Sequence, residues 1–174
     1  MNAGVLVGHS QIEELPMETA EHYVAVGLEN GDVVVVNSRS GQVDFILYSE
    51  QQFPVGQVHF SPDGKSLAVT NMAPGNTISI WDLTSREVEA QWNMPQDVFT
   101  ASWSPDGSRL AVGSGFDVCI YDARQWYQSP LSTLSGPQEV IANVYFHPSN
   151  RWLAVYGYDG KSRLWDIESQ LLRL

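Results

Sequence analysis

Residues 58–82 read VHFSPDGKSLAVTNMAPGNTISIWD. Apolar residues alternate up to a Ser61-Pro62-Asp63-Gly64 turn and a short Leu67-Ala68-Val69 run follows. After a loop of Ala, Pro, Gly and Asn, a second alternating run ends in Trp81-Asp82. Alternation at period two between turn residues marks strands, so the stretch predicts three of them, a, b and c, joined by turns.

The unit recurs. The last apolar residue of strand a falls at Met17, Phe60, Trp103 and Phe146, in three steps of 43 residues, and strand b begins seven residues later at Val24, Leu67, Leu110 and Leu153. A period of about 40 to 45 residues with four strands per unit predicts a propeller. The Ser-Pro-Asp-Gly turns at 61–64 and 104–107, the Leu-Ala-Val strands, and the strand ends Trp81-Asp82, Tyr121-Asp122 and Trp165-Asp166 resemble WD40 repeats, from about Gly8 to the C-terminus. The resemblance implies an all-β fold of four four-stranded blades, with repeats over about 10–48, 55–92, 98–134 and 140–174. It says little of function, because one fold hosts many unrelated partners.

Within repeat one, strand a is expected over Ile12–Met17, with Pro16 placing it at an edge or bulge. Strand b follows at Tyr23–Val26, then an Asn30-Gly31 turn and strand c at Val33–Val36, whose four consecutive valines predict burial on both faces. Repeat three has the longest connection from c to d, carrying Trp126-Tyr127; this pair is expected on the rim opposite the b to c turns or as cover for a repeat junction. In repeat four His147-Pro148-Ser149-Asn150 replaces the Ser-Pro-Asp-Gly turn, and residues 169–174 read as the beginning of a strand d.

Four repeats stand at the bottom of the range of blade numbers, roughly 4 to 8. A blade flank of about 300 Å² is worth at most on the order of 8 kcal/mol of apolar burial, so two open flanks would rival a domain's stability of about 5 to 15 kcal/mol. Three arrangements answer this: a strained four-bladed ring, a homodimer closing an eight-bladed ring, or a part of a longer protein. We expect the last, since both ends fall within a repeat.

Composition bounds the chemistry. With 43% hydrophobic and 17% charged residues the 174-residue chain can fold around a core rather than stay disordered. Nine basic against 20 acidic residues give a net charge of −11, which disfavours nucleic acid and acidic membranes as direct partners. The acidity is uneven: residues 1–60 hold eight acids against Arg39 alone, so a partner's basic face would dock toward the first repeat, although acidic loops also serve solubility. The single cysteine, Cys119, cannot form an internal disulfide and no Asn-x-Ser/Thr sequon occurs, which points to a cytoplasmic protein, with the nucleus as the alternative. No signal peptide or membrane span is read from the N-terminal residues.

Catalysis finds little support. His9, His22, His59 and His147 lack metal-ligand spacing, Gly113-Ser114-Gly115 lacks the wider Gly-x-Ser-x-Gly pattern, and no phosphate-cradling Gly-rich stretch with Lys occurs. Asp63 and Asp106 are explained by Asp-Gly turns, and Cys119, in one column with Val34, Ser79 and Arg163, reads as an inert buried thiol. No catalytic residue, metal or cofactor is expected.

The resemblance further implies a polar network of a Gly-His histidine, a strand b hydroxyl, an Asp before strand c and the strand c Trp. Here the Asp column holds Asn30, Gly75, Gly115 and Asp159, His9 has Val36 in place of its Trp, and repeat four has Gly136-Pro137 in place of Gly-His. No repeat carries the whole network, so stability is expected to rest on apolar interleaving. The resemblance also implies that the d to a and b to c loops share the rim on which such proteins grip partners. On that rim stand Phe53, Met72, Met94, Phe116 and Tyr158, large side chains beside Gly, Pro or Asn, suited either to interface anchoring or to plugging blade junctions. The expected function is a non-catalytic protein-interaction scaffold; the alternative is a sensor or accessory propeller within a larger signalling or enzymatic polypeptide.

Overall fold

A computed structural model describes residues 23–126, 129–135 and 140–173. Strands β1 (Tyr23–Gly27), β2 (Val33–Asn37) and β3 (Val43–Leu47) form a three-stranded antiparallel sheet. Three four-stranded sheets follow in chain order. Blade two is β4 (Val55–Phe60), β5 (Ser66–Asn71), β6 (Thr77–Asp82) and β7 (Glu87–Asn93). Blade three is β8 (Val98–Trp103), β9 (Arg109–Ser114), β10 (Asp117–Asp122) and β11 (Ser132–Ser135), and blade four is β12 (Ile141–Phe146), β13 (Trp152–Gly157), β14 (Ser162–Asp166) and β15 (Leu171–Leu172). The expected strand at Ile12–Met17, with His9 and His22, lies outside the described residues, as do Tyr127 and the Gly136-Pro137 pair.

The turn residues do the work their chemistry allows. Gly64 and Gly107 take φ of 70° and 68°, the left-handed region open to glycine, and their amides donate to the Ser61 and Ser104 carbonyls at 2.9 and 2.8 Å. Each serine hydroxyl donates to the turn's aspartate, Ser61 to Asp63 at 2.6 Å and Ser104 to Asp106 at 2.7 Å, and accepts the amide that opens the next strand. In blade four His147 and Asn150 stand in: Ser149 N donates to His147 Nδ1, and Asn150 adopts φ 58°. The aspartate that ends strand c turns the chain toward strand d. Asp82 Oδ1 accepts from the Thr84 and Ser85 amides at 2.7 Å, Asp122 does the same for Arg124, Asp166 for Glu168 and Ser169, and Asn37 replaces it in the first sheet.

Burial falls between neighbouring blades, in three separate clusters. Ala25, Val33 and Leu47 meet Val55, Val58, Leu67, Val69 and Trp81. Ala68, Ile78, Ile80, Trp92 and Met94 meet Val98, Ala101, Leu110, Val112 and Tyr121. Ala111, Val118, Ile120 and Leu134 meet Ile141, Val144, Leu153, Val155 and Trp165. Blades two and three therefore each present one face of their sheet to the blade before and the other to the blade after.

The 43-residue period also sets how the blades mesh. Val55, Val98 and Ile141 occupy one column at the start of strand a, and all three are buried. Facing Val55 and Ile141, at the end of strand b in the preceding blade, Gly27 and Gly113 leave room, in a column that holds Thr70 in blade two. A Cβ on Gly27 would lie 2.5 Å from Val55 Cβ, and one on Gly113 2.8 Å from Ile141 Cγ2. The fourth member of that column is Tyr156, 43% exposed, on the outer face of blade four with Tyr145 and Ala154. Ala68 and Ala111, the equivalents of Ala154, are buried. This outer face is covered by no other described residues.

Two corrections follow. The four valines of β2 are not buried on both faces: Val33 and Val35 are, while Val34 and Val36 are half-buried, because only the former face blade two. Nor does stability rest on apolar interleaving alone, because each b to c turn is pegged by a polar group of its own. Asp32 Oδ1 accepts the Ser49 amide at 2.9 Å, Asn71 Nδ2 donates to the Phe53 carbonyl at 2.9 Å, and Ser114 Oγ donates to the Gln96 carbonyl at 3.1 Å. Asp159 pairs bidentately with Arg163, Oδ2 to Nη2 at 2.5 Å, and that guanidinium holds its carboxyl down at about 2.

Candidate interaction rim

An antiparallel blade brings the start of strand a, the end of b, the start of c and the end of d to one edge. Backbone hydrogen bonds knit these ends together: Val55 N to Leu28 O and Ile141 N to Gly115 O pass between blades, and Met72 N to Pro54 O, Met94 N to Asn76 O, Gly115 N to Asp97 O and Tyr158 N to Val140 O join the loops within a blade, all between 2.8 and 3.1 Å. A rim so satisfied presents its side chains on ordered backbone.

The five sequence-derived rim residues divide into three groups. Phe116 and Tyr158 are 44% and 66% exposed and occupy equivalent turns of neighbouring blades. Tyr158 meets Phe99 edge-on, ring centroids 6.3 Å apart; Phe99, a half-buried strand residue, was not singled out from sequence because it follows directly on the buried Val98 in a regular strand. Phe53 and Met72 are half-buried packing residues: the Phe53 ring lies over Gly75, where a Cβ would sit 2.5 Å from Cδ2, and Met72 Cγ lies 3.3 Å from where a Gly56 Cβ would be. Met94 is a correction. It is 6% exposed, belongs to the core between blades two and three, and its sulfur accepts the Tyr121 hydroxyl at 3.3 Å.

The rim's charge is one-sided. Glu29, Glu50 and Asp97 are exposed and Asp117 half-buried, while its cations among the described residues are Lys161 and the Arg163 already paired with Asp159. On the opposite rim Trp126 covers the junction of blades two and three, its ring centroid 6.1 Å from Trp92 and 5.6 Å from Trp103.

Burial holds two groups, His59 and Cys119, in their uncharged forms. Burial lowers the pKa of His59 to about 4, so its ring is neutral at pH 7, with Nε2 3.2 Å from Gln57 Oε1. Gln57 Nε2 in turn donates to Asn143 Oδ1 at 3.2 Å, tying strand a of blade two to that of blade four. Burial pushes the Cys119 thiol up, which keeps it protonated. Among the described residues no three His, Cys, Asp or Glu side chains converge as a metal site would require, and no helix is long and apolar enough to cross a membrane.

The family model described as "WD domain, G-beta repeat" matches residues 90–122 and 128–166. The periodic tryptophan protein 2 homolog of Dictyostelium discoideum is 27% identical over 148 residues, 83% of this chain and 16% of that protein. The target of rapamycin complex subunit wat1 of Schizosaccharomyces pombe is 27% identical over 112 residues, 62% of this chain and 35% of that protein. A chain in the crystal structure of the mitotic checkpoint complex superposes with a TM-score of 0.77 at 26% identity, over 88% of this chain and 46% of that one. The chain thus spans less than half the length of each of these relatives.

Proposed function

The chain belongs to the WD40-repeat family, and from that premise we propose that its loop rim is a non-catalytic docking surface for a protein or peptide with a basic face. WD40 relatives support an interaction scaffold in general, and among them are subunits of protein complexes. The observation that carries the finer reading is the pair Phe116 and Tyr158, exposed on neighbouring blades among Asp97, Asp117 and other acids. Aromatic anchors on ordered backbone lose little conformational entropy on binding, and the surrounding carboxylates steer a basic partner. We also read the chain as part of a larger propeller, because it spans 46% of its structural neighbour and leaves the outer face of blade four uncovered by described residues.

The test is site-specific photo-crosslinking in the source cells. A photoreactive residue at position 116 or 158 is expected to give discrete protein adducts that vanish when the other aromatic is changed to Ser, with the melting temperature unmoved. Adducts formed only from a probe at Leu131, on the opposite rim, or adducts indifferent to the second substitution, would overturn the assignment.

A further inference from the structure

We propose that the groove between blades two and three, on the rim opposite the loops, binds an arginine side chain of a partner protein. The groove runs between the turns at 61–64 and 104–107, which come together where a Cβ on Gly107 would lie 3.8 Å from Pro62 Cδ, and has a volume of about 510 Å³. That is enough for one long side chain and within the range of small-ligand sites.

Two indoles and three carboxylates line it: Trp103, Trp126, Asp63, Glu89 and Asp106. The indole planes stand at 81° with centroids 5.6 Å apart, forming an aromatic corner. Trp103 is anchored there by its Nε1, which donates to the His59 carbonyl at 3.1 Å. Both rings are half-buried. Asp63 and Asp106 use Oδ1 to brace their own turns, and their Oδ2 atoms take part in no hydrogen bond among the described residues. Glu89 is exposed, and none of the three belongs to either ion pair found among the described residues.

Indole faces attract a cation through the ring quadrupole, and free carboxylate oxygens at the rim supply acceptors. A guanidinium fits both demands at once: it is planar, stacks on aromatic faces, is weakly hydrated, and forks toward two acceptors, whereas an ammonium is a compact and strongly hydrated point charge. The groove lies away from the loop rim, so this inference stands independently of the docking surface proposed above.

The experiment follows the tryptophan indole N–H resonances of the full chain while the neutral-ended peptide acetyl-Gly-Arg-Gly-amide is added, with its citrulline counterpart as the uncharged isostere. The arginine peptide is expected to move the Trp103 and Trp126 signals saturably at concentrations on the order of millimolar, and citrulline to leave them in place. Glu89→Lys, at an exposed side chain on which no packing depends, is expected to weaken the arginine peptide by about fivefold. The proposal is overturned if the two signals stay fixed, if citrulline shifts them equally, or if Glu89→Lys leaves the affinity unchanged.

Discussion

Replacing Gly113 by valine is expected to destabilise the chain by about 3 kcal/mol or more, at the upper end of what overpacking a core costs. A Cβ at this position would lie 2.7 Å from Thr100 Cγ2 and 2.8 Å from Ile141 Cγ2. Both neighbours are buried and β-branched, so neither side chain can swing aside. The strain is steric rather than torsional. Tyr156 is the control, because it occupies the same column on a face that no described residue covers, and Tyr156→Val should change stability by less than about 1 kcal/mol. Urea unfolding of both variants checks this. In addition, Gly113→Ala should be partly rescued by Ile141→Ala, which removes the Cγ2 that the new Cβ would meet, the signature of two residues that share one space. Equal costs at positions 113 and 156 would mean that blade meshing does not decide stability.

Truncating Trp92 to alanine should cost about 3 to 5 kcal/mol, as expected for a large buried aromatic. Trp92 is 6% exposed and packs at 4.9 Å from the Tyr121 ring and 6.1 Å from that of Trp126, so its loss opens the junction of blades two and three from within. Its Nε1 is buried without a hydrogen-bond partner among the described residues. Trp92→Phe therefore removes an unpaired donor along with some volume and should cost under about half as much as the alanine change. Denaturant midpoints at unchanged m-value, together with near-ultraviolet circular dichroism, measure both. An alanine cost below about 1 kcal/mol would show that the junction is held elsewhere.

The fold was legible because its determinants are local or periodic. Turn serines, Asp63 and Asp106, and the aspartates ending strand c act within a few residues of themselves, so spacing alone places them. The period of 43 residues identified equivalent strands and, with them, the column of Val55, Val98 and Ile141. What sequence could not convey is which face of a blade another blade covers. Val34 and Val36 look like Val33 and Val35 on paper, and only the position of blade two separates them. Met94 follows strand β7 directly and reads as a loop residue, but the Tyr121 hydroxyl and blade three enclose it. The missing polar network likewise gave no hint of its substitutes, since Asp32 with Ser49 and Asn71 with Phe53 are long-range pairs that no column count reveals. The arginine groove is of the same kind, assembled from Trp103 and Trp126 by the stacking of two blades.

The central claim is that the loop rim is an ordered display surface before any partner arrives, and amide hydrogen exchange of the free chain tests it most directly. The account predicts that the amides of Val55, Met72, Met94, Gly115, Ile141 and Tyr158, which join loop to loop, are protected together and open in one cooperative unit with the strands beside them. Exchange of these six at the rate of an unstructured chain, with the strands still protected, would contradict it.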